Sequence, residues 1–542
     1  MTSPYEEGDP NSPMLILGQA PGRSEMGQGR PLVGPAGDVF RDCLHVAGIS
    51  RRDCYILNVW EDQVHDTASG VICSKSGGPP LWNKHGFTEY GLELAEPTLQ
   101  RIRASGANAI LALGQQALDL CTGKSIGIMK WRGSPLQGKD RVGSKKVVPT
   151  VHPAATIHGV YLWRYMIIGD MKKFREEAQT ASLILPIRDI LIRPTIADAL
   201  NYIRQCEVDK LVATDIEVVN HQVSCFSLSR NPSEAVTIPL TDEDGAYWSE
   251  SDEVLIWLAY AKLMHNVEVM KVNQNMVGFD AVFLWMRNRI ITRGPIGDSM
   301  IAQSILYPEF RKGLDFIASV HTREPYWKDE GKMWKNEGGD FPQFWRYCGK
   351  DACVALEAWN VLCEEMTARG MWPTYERTVR LMHPLMHMTM SGLAVDRERL
   401  EGAKVRIGTK IAELEAELSE VADYPFNPGS TQQCAKYFYD HKGLKPYKNG
   451  TSVTTDDKAM SRIFRKTGWR EAKLTQEIRG YRKLSGTYLE VECDADWRLR
   501  CTWNPRGTWT GRLSSSQTIL GTGMNLQNLD PRFKEFIVAD VL

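Results

Sequence analysis

No stretch of the 542-residue sequence approaches the ~20 consecutive apolar residues that a membrane-spanning helix needs. The opening Met1-Thr2-Ser3-Pro4-Tyr5-Glu6-Glu7 lacks the basic-then-apolar order of a secretory leader. No two of the 12 cysteines form a CxxC pair. Their scatter argues against a disulfide framework and a clustered zinc site, and points to reduced thiols in a cytosol. Internal repeats and low-complexity tracts are absent as well, which excludes a repeat architecture. There is almost no net charge, because 65 Lys and Arg meet 66 Asp and Glu, so bulk charge does not mark the chain as a polyanion binder.

What remains is ordinary for a globular protein: 43% hydrophobic and 24% charged residues. The length exceeds one hydrophobic core and predicts about three or four domains. Charge is unevenly spread, since residues 441–542 hold 18 Lys and Arg against 11 Asp and Glu. A locally basic stretch of this kind suits contact with phosphates.

Three blocks follow from the pattern. Residues 13–178 alternate short apolar strands (Met14–Gly18, Cys54–Val59, Ala109–Leu113, Val147–His152) with helical segments such as Gly37–Ala47 and Tyr161–Ala178. That alternation predicts an α/β domain with a mostly parallel sheet. Residues 179–194 read as a linker. Residues 195–365 form a second α/β block, opening with a helix and the strand Leu211–Asp215. From about 370 to 542 the pattern turns helical, with a long helix over Arg397–Val421 and a helix over Gln432–Asp440 capped by Ser430. Loops and short strands follow after 500.

The middle block carries the densest chemistry. Asp215-Ile216-Glu217 follows the apolar Leu211-Val212-Ala213. Residues two apart in a strand share a face, so two carboxylates project together, at high cost unless a cation neutralises them. Asn275 begins Asn-x3-Phe-Asp, ending at Asp280, and Tyr347 begins Tyr-x3-Asp, ending at Asp351. Tyr347 and Asp351, four apart, lie on one helical face. In this order, separated by roughly sixty to seventy residues, the three motifs resemble those of the 3′→5′ proofreading exonucleases. The resemblance implies an RNase H-like domain that hydrolyses the last phosphodiester of single-stranded 3′ ends. It also implies two Mg²⁺ or Mn²⁺ ions held by Asp215, Glu217, Asp280 and Asp351. Tyr347 would orient the attacking water and Asn275 would help hold the terminal nucleotide.

Farther on stand Thr508, Thr510, Gly511, Arg512, Leu513, Ser514 and Ser515, then Asn525-Leu526-Gln527-Asn528. These pieces resemble the template–primer signature of family A DNA polymerases of bacteriophage type. Tyr481-Arg482-Lys483-Leu484 resembles the helix of their thumb that grips the duplex. The resemblance implies DNA contacts by Arg482, Lys483, Thr508, Thr510, Arg512, Ser514, Ser515, Asn525, Gln527 and Asn528. In that family Phe536–Asp540 leads into the first catalytic palm motif, and the sequence given stops at Leu542. The expectation is a thumb and partial palm that does not extend a primer unaided; a split gene, an interrupting intron or intein, or a truncation would each explain the ending, and a second polypeptide carrying palm and fingers could complete it. Primer–template DNA would be its partner, the host cytosol its location, and a membrane is not expected.

In the first block, Gly18-Gln19-Ala20-Pro21-Gly22 with Glu25, Pro31-Leu32-Val33-Gly34, Tyr55–Val59 with Asn58, and Val151-His152-Pro153 resemble the uracil-DNA glycosylases that bear an iron–sulfur cluster. The resemblance implies an α/β/α sandwich whose Asn58 reads the pyrimidine edge and whose His152 stabilises the leaving oxygen. Gln19 stands where that family has an acidic residue, and Leu32 where it has a stacking aromatic. The cluster cysteines have no counterpart, Cys73 being alone in its region, so no iron–sulfur cluster is expected. Glycosylase catalysis and non-catalytic sensing of uracil or template DNA both stay open. As a whole, the sequence predicts a multidomain α/β replication protein. The alternatives are a stand-alone repair enzyme and a non-catalytic DNA-binding subunit of a split polymerase.

Overall fold

The computed structural model describes residues 3–158, 160–331, 334 and 339–539. Asp540, Leu542, Met1 and Thr2, named above, lie outside them. The chain divides into two compact units: residues 1–276 with 287–379, and residues 277–286 with 380–542. No helix among the described residues is long and apolar enough to cross a membrane.

The first unit contains two six-stranded sheets. In the first sheet, β1 (Glu6–Glu7), β2 (Met14–Gly18), β3 (Cys54–Asn58), β4 (Ala109–Leu113), β5 (Leu136–Gln137) and β6 (Lys146–Thr150) lie in the order β1-β3-β2-β4-β6-β5. The four central strands are parallel, and β1 and β5 are antiparallel edges. Cys54–Asn58 and Ala109–Leu113 are buried along their whole length, as expected of parallel strands covered on both faces. One face packs Ile16, Ile56 and Leu111 against Phe40 and Leu44 of helix α1 (Gly34–Val46) and Phe174 of α2 (Trp163–Glu177). The other face packs Leu15, Leu57 and Ile110 with Leu99, Ile102 and Trp60.

Two expected boundaries shift. Glu6–Glu7, ahead of the expected start at residue 13, join this sheet by pairing with Leu57 and Ile56, and the Glu7 carboxylate lies 2.7 and 2.8 Å from Arg51 and Arg30. Strand β6 ends at Thr150, so His152 sits in the turn after the strand rather than in it.

In the second sheet, β7 (Asp189–Leu191), β8 (Leu211–Val219), β9 (Gln222–Asn231), β10 (Glu234–Pro239), β11 (Met270–Asn273) and β12 (Ile296–Asp298) run in the order β7-β10-β9-β8-β11-β12. β8, β9 and β10 are antiparallel neighbours, while β11 and β12 continue parallel to β8. β7 comes from the expected linker and pairs with β10 through Asp189 and Glu234. Helix α3 (Ile196–Asp209) opens with a capping box between Thr195 and Asp198. The 28-residue helix α4 (Phe341–Ala368) buries Phe344, Trp345, Cys348 and Val354.

The second unit is mostly helical. Its longest helix, α5 (Arg397–Val421), is capped by Asp396, whose side chain accepts from Arg399 N. Ser430 caps a short helix as expected, but beyond Ala435 the turns widen to π geometry over Lys436–His441. Helix α6 (Arg470–Lys483) lies beside α5 through Leu414, Leu418, Leu474 and Ile478. A hairpin joins Thr502–Asn504 to Ser514–Ser516.

Candidate functional site

Strand β8 sets the first two carboxylates. Asp215 faces Ser227 and Glu217 faces Cys225 across the β8–β9 ladder, so both side chains leave the same face of the sheet. Helix α4 crosses this face and brings Tyr347 and Asp351, one turn apart. Carboxylate oxygens of Asp215, Glu217 and Asp351 all lie within 4.8 Å of one another. Among the described residues, no other group of three or more His, Cys, Asp or Glu side chains is placed to share an ion. Glu217 and Asp351 are only 5% and 4% exposed. Three carboxylates this close and this buried fit a hard divalent cation, because oxygen ligands and negative charge are what Mg²⁺ and Mn²⁺ require.

Asp280, expected as a fourth ligand, is not one of this group. It is buried at the start of the helix Asp280–Asn288, and residues 277–286 are grouped with the second compact unit. Asn275 sits at φ +64°, in the left-handed region that asparagine tolerates best after glycine. Its amide and that of Met276 donate to Asp298 at 3.3 and 2.9 Å. Asp298 also accepts from Met300 and Ile301 as the cap of the helix Ser299–Leu306. Burial pushes the Asp298 carboxyl up to about 6, against the four amide hydrogen bonds that favour its charge. Asp298 thus pegs the Asn275 turn.

Two further residues enter the carboxylate site without any sequence signal. Trp327 donates Nε1 to Asp351 Oδ1 at 2.6 Å. Lys328 forms an ion pair with Asp351 and reaches the Tyr347 hydroxyl at 3.2 Å. Burial works against the Lys328 charge, but Asp351, Asp215 and Glu217 outweigh it and hold the ammonium above its ordinary range. The Tyr347 hydroxyl is held protonated, first by burial and then by Asp351, Glu217 and Asp215.

In the first sheet, Gly18 and Asn58 are register partners at the ends of β2 and β3. A Cβ on Gly18 would lie 2.4 Å from Asn58 Oδ1 and 3.8 Å from a Leu32 methyl. The Asn58 amide therefore lies over bare backbone, with Leu32 as an aliphatic wall. Leu32 sits at φ +47°, a strained setting for a leucine. Arg51 holds this turn through Leu32 O at 3.1 Å and Pro31 O at 2.6 Å, and Glu25 accepts from Val33 N at 3.0 Å. Around them, Gln19 O accepts from Trp60 N, Ala20 packs on the core, Pro21 is buried, and Gly22 precedes the short helix Arg23–Gln28. His152 Nδ1 accepts from Ala154 N at 3.2 Å, and burial lowers the imidazole to about 4. It is therefore neutral at pH 7, with its proton on Nε2.

In the second unit the two polymerase-like segments meet. Ser515 Oγ donates to Asn525 Oδ1 at 2.7 Å, and Gln527 Nε2 donates to Leu513 O at 3.2 Å. Thr508 Oγ1 accepts from Arg512 N at 2.9 Å and lies 3.2 Å from Thr510 Oγ1. Tyr488 donates to Asn528 O at 2.9 Å. Ser514 opens the second strand of the hairpin, and Arg512 and Lys483 are exposed. Arg482 is exposed as well, with its guanidinium against Glu415 at 2.8 Å and Asn427 at 3.0 Å.

Comparison with known proteins separates the two ends of the chain. Residues 5–161 match the uracil DNA glycosylase superfamily and residues 397–538 match DNA polymerase family A. A type-4 uracil-DNA glycosylase of Thermotoga maritima is 35% identical over 149 residues, 27% of this chain and 68% of that protein. DNA polymerase I of Rhizobium leguminosarum is 29% identical over 50% of this chain, and that of Pseudomonas aeruginosa 24% over 67%. The chain spans only 27% and 42% of those two polymerases. Among solved structures, the POL domain of Pol1 from M. smegmatis, complexed with DNA primer-template and dNTP, shares its fold at a TM-score of 0.50. It has 19% identity over 63% of this chain and 56% of that one.

Proposed function

Because the chain belongs to the uracil DNA glycosylase superfamily through its first domain and carries a family A DNA polymerase domain, we propose that it is a DNA replication protein that trims DNA 3′ ends. The trimming is two-metal phosphodiester hydrolysis at Asp215, Glu217 and Asp351. The observation that carries this reading is the convergence of those three carboxylates within 4.8 Å, beside Tyr347 on the same helix as Asp351. The sheet supports it: three antiparallel strands continued by two parallel ones is the RNase H-like order that the motifs imply. The sequence pattern assigns the fourth carboxylate to Asp280.

Asp215, Glu217 and Asp351 would hold Mg²⁺ or Mn²⁺, which when bound activates a water and stabilises the leaving oxyanion. Tyr347, kept protonated, orients the attacking water through its hydroxyl. Asn275, fixed by Asp298, presents its amide to the terminal nucleotide. In the second unit, the joined Thr508–Ser515 and Asn525–Asn528 segments, with exposed Arg512 and Lys483, form the primer–template contact.

The first domain is a uracil-reading pocket. Asn58 pairs with the base edge, Leu32 replaces the aromatic wall, and the neutral His152 donates Nε2–H to the oxygen that gains charge as the glycosidic bond breaks.

One experiment addresses both sites. A 5′-labelled single strand bearing one uracil is incubated with the protein in Mg²⁺ or EDTA and then treated with alkali. The expected result is a ladder shortened from the 3′ end in Mg²⁺, abolished by Asp215→Ala with Glu217→Ala while DNA binding persists. In EDTA a single cleavage at the uracil is expected. A full Mg²⁺ ladder from the double variant would refute the nuclease assignment, and an intact strand in EDTA would refute glycosylase catalysis.

A further inference from the structure

A strap of chain reaches the carboxylates from the side of the first domain. Tyr326 N donates to Ser134 Oγ at 3.2 Å, and the Tyr326 ring meets Trp131 edge-on with centroids 5.3 Å apart. Lys130 lies 3.1 Å from Asp329, and Arg188 holds Glu324 at 2.8 Å. Between these anchors Trp327 and Lys328 turn inward. Trp327 is 3% exposed and bonds one oxygen of Asp351, while Lys328 pairs with the other. Both oxygens of one ligand carboxylate are thus engaged by the strap, and the proposed hydrolysis uses neither residue.

We propose that Lys328 is a built-in counter-cation of the nuclease site, which must leave Asp351 before a divalent ion takes that oxygen, so that the strap anchored on the first domain sets the metal affinity. This rests on the nuclease reading of Asp215, Glu217 and Asp351. The physical reason is charge balance. Three carboxylates within 4.8 Å repel one another, and a unit positive charge in contact with one of them relieves part of that repulsion. A metal ion must then displace an existing ion pair rather than fill a purely anionic pocket. A short strap fixed at both ends keeps the ammonium close without making it a permanent ligand.

The test is Mn²⁺ binding to the full chain, read as loss of the free-ion electron paramagnetic resonance signal. It compares wild type with Lys328→Met, Lys328→Gln and Lys328→Arg, each confirmed folded by circular dichroism. The neutral variants are expected to bind Mn²⁺ about tenfold more tightly than wild type, by the loss of one adjacent charge, and Lys328→Arg to match wild type. Unchanged or weaker binding by both neutral variants overturns the proposal while wild-type binding leaves the nuclease reading standing. Tighter binding by Lys328→Arg also overturns it, because charge would not be the cause. If no variant binds Mn²⁺, both readings fall.

Discussion

His152 carries its proton on Nε2 because Nδ1 already accepts from the Ala154 amide, and burial holds the ring neutral down to about 4. This has a pH consequence with a defined sign. The unfolded chain takes up the proton near the ordinary value of 6.5, and the folded chain not until about 4. The stability contributed by the neutral ring is therefore complete above about 6.5 and is lost as pH falls through that window toward 4. In ¹⁵N-correlated spectra the His152 ring is expected to stay neutral at pH 5.5, with the proton on Nε2. Titration near 6.5 would show the ring to be solvated and the donor role wrong. At this scale the sequence marks Asn58, His152, Asp215, Glu217, Tyr347 and Asp351, because each sits in a short motif of fixed spacing. Trp327 and Lys328 lie in no such motif. Their reach to Asp351, 24 and 23 residues away, depends on how the strap is pinned.

Among the elements, helix periodicity was the most legible signal. Arg397–Val421 is a helix over the expected range, with the Asp396 cap at its start. The same periodicity places Tyr347 and Asp351 on one face of α4. Less legible was Asp189–Leu191: three residues of low hydrophobic contrast read as linker, yet β10 offers them a free edge and the backbone bonds follow. The seam of α5 and α6 rests on four aliphatic side chains, and Leu474 and Ile478 are fully buried. Leu474→Ala is expected to destabilise the 380–542 unit by about 2–5 kcal/mol, as cavity-forming core changes do, measured by urea unfolding. A cost below about 1 kcal/mol would mean that the seam collapses to refill the space.

At the scale of the whole molecule, the first domain is joined to the helix Leu314–His321 of the second block by a buried polar network. Arg132 and Asp170, an ion pair with almost no exposure, are bridged to Thr150 at 2.7 Å and to Ser319 at 2.9 Å. Lys173 adds bonds to the carbonyls of Ser319 and Thr322 at 2.5 Å. Asp170→Ala leaves the Arg132 guanidinium buried without its carboxylate and is expected to cost about 3–5 kcal/mol. Limited proteolysis should then cut near Ser319 sooner than in wild type. Arg132→Met with Asp170→Leu, which removes both charges, should recover most of that loss. If the single and double variants are equally unstable, packing rather than charge governs the seam.

The sequence by itself determined the local facts: the longer strands and helices, which carboxylates share a strand face or a helix turn, and which motifs accompany a glycosylase-like front and a polymerase-like end. These are set by periods of two and of 3.6 residues and by spacings within a few tens of residues. Only the tertiary structure decided the rest. It brought Asp351 to Asp215 and Glu217, bound Arg482 to Glu415 and Asn427, and delivered Lys328 to the carboxylates on a strap held by the first domain. Those outcomes follow from long-range packing and charge neutralisation, where the partner of a residue is chosen by space and not by distance along the chain.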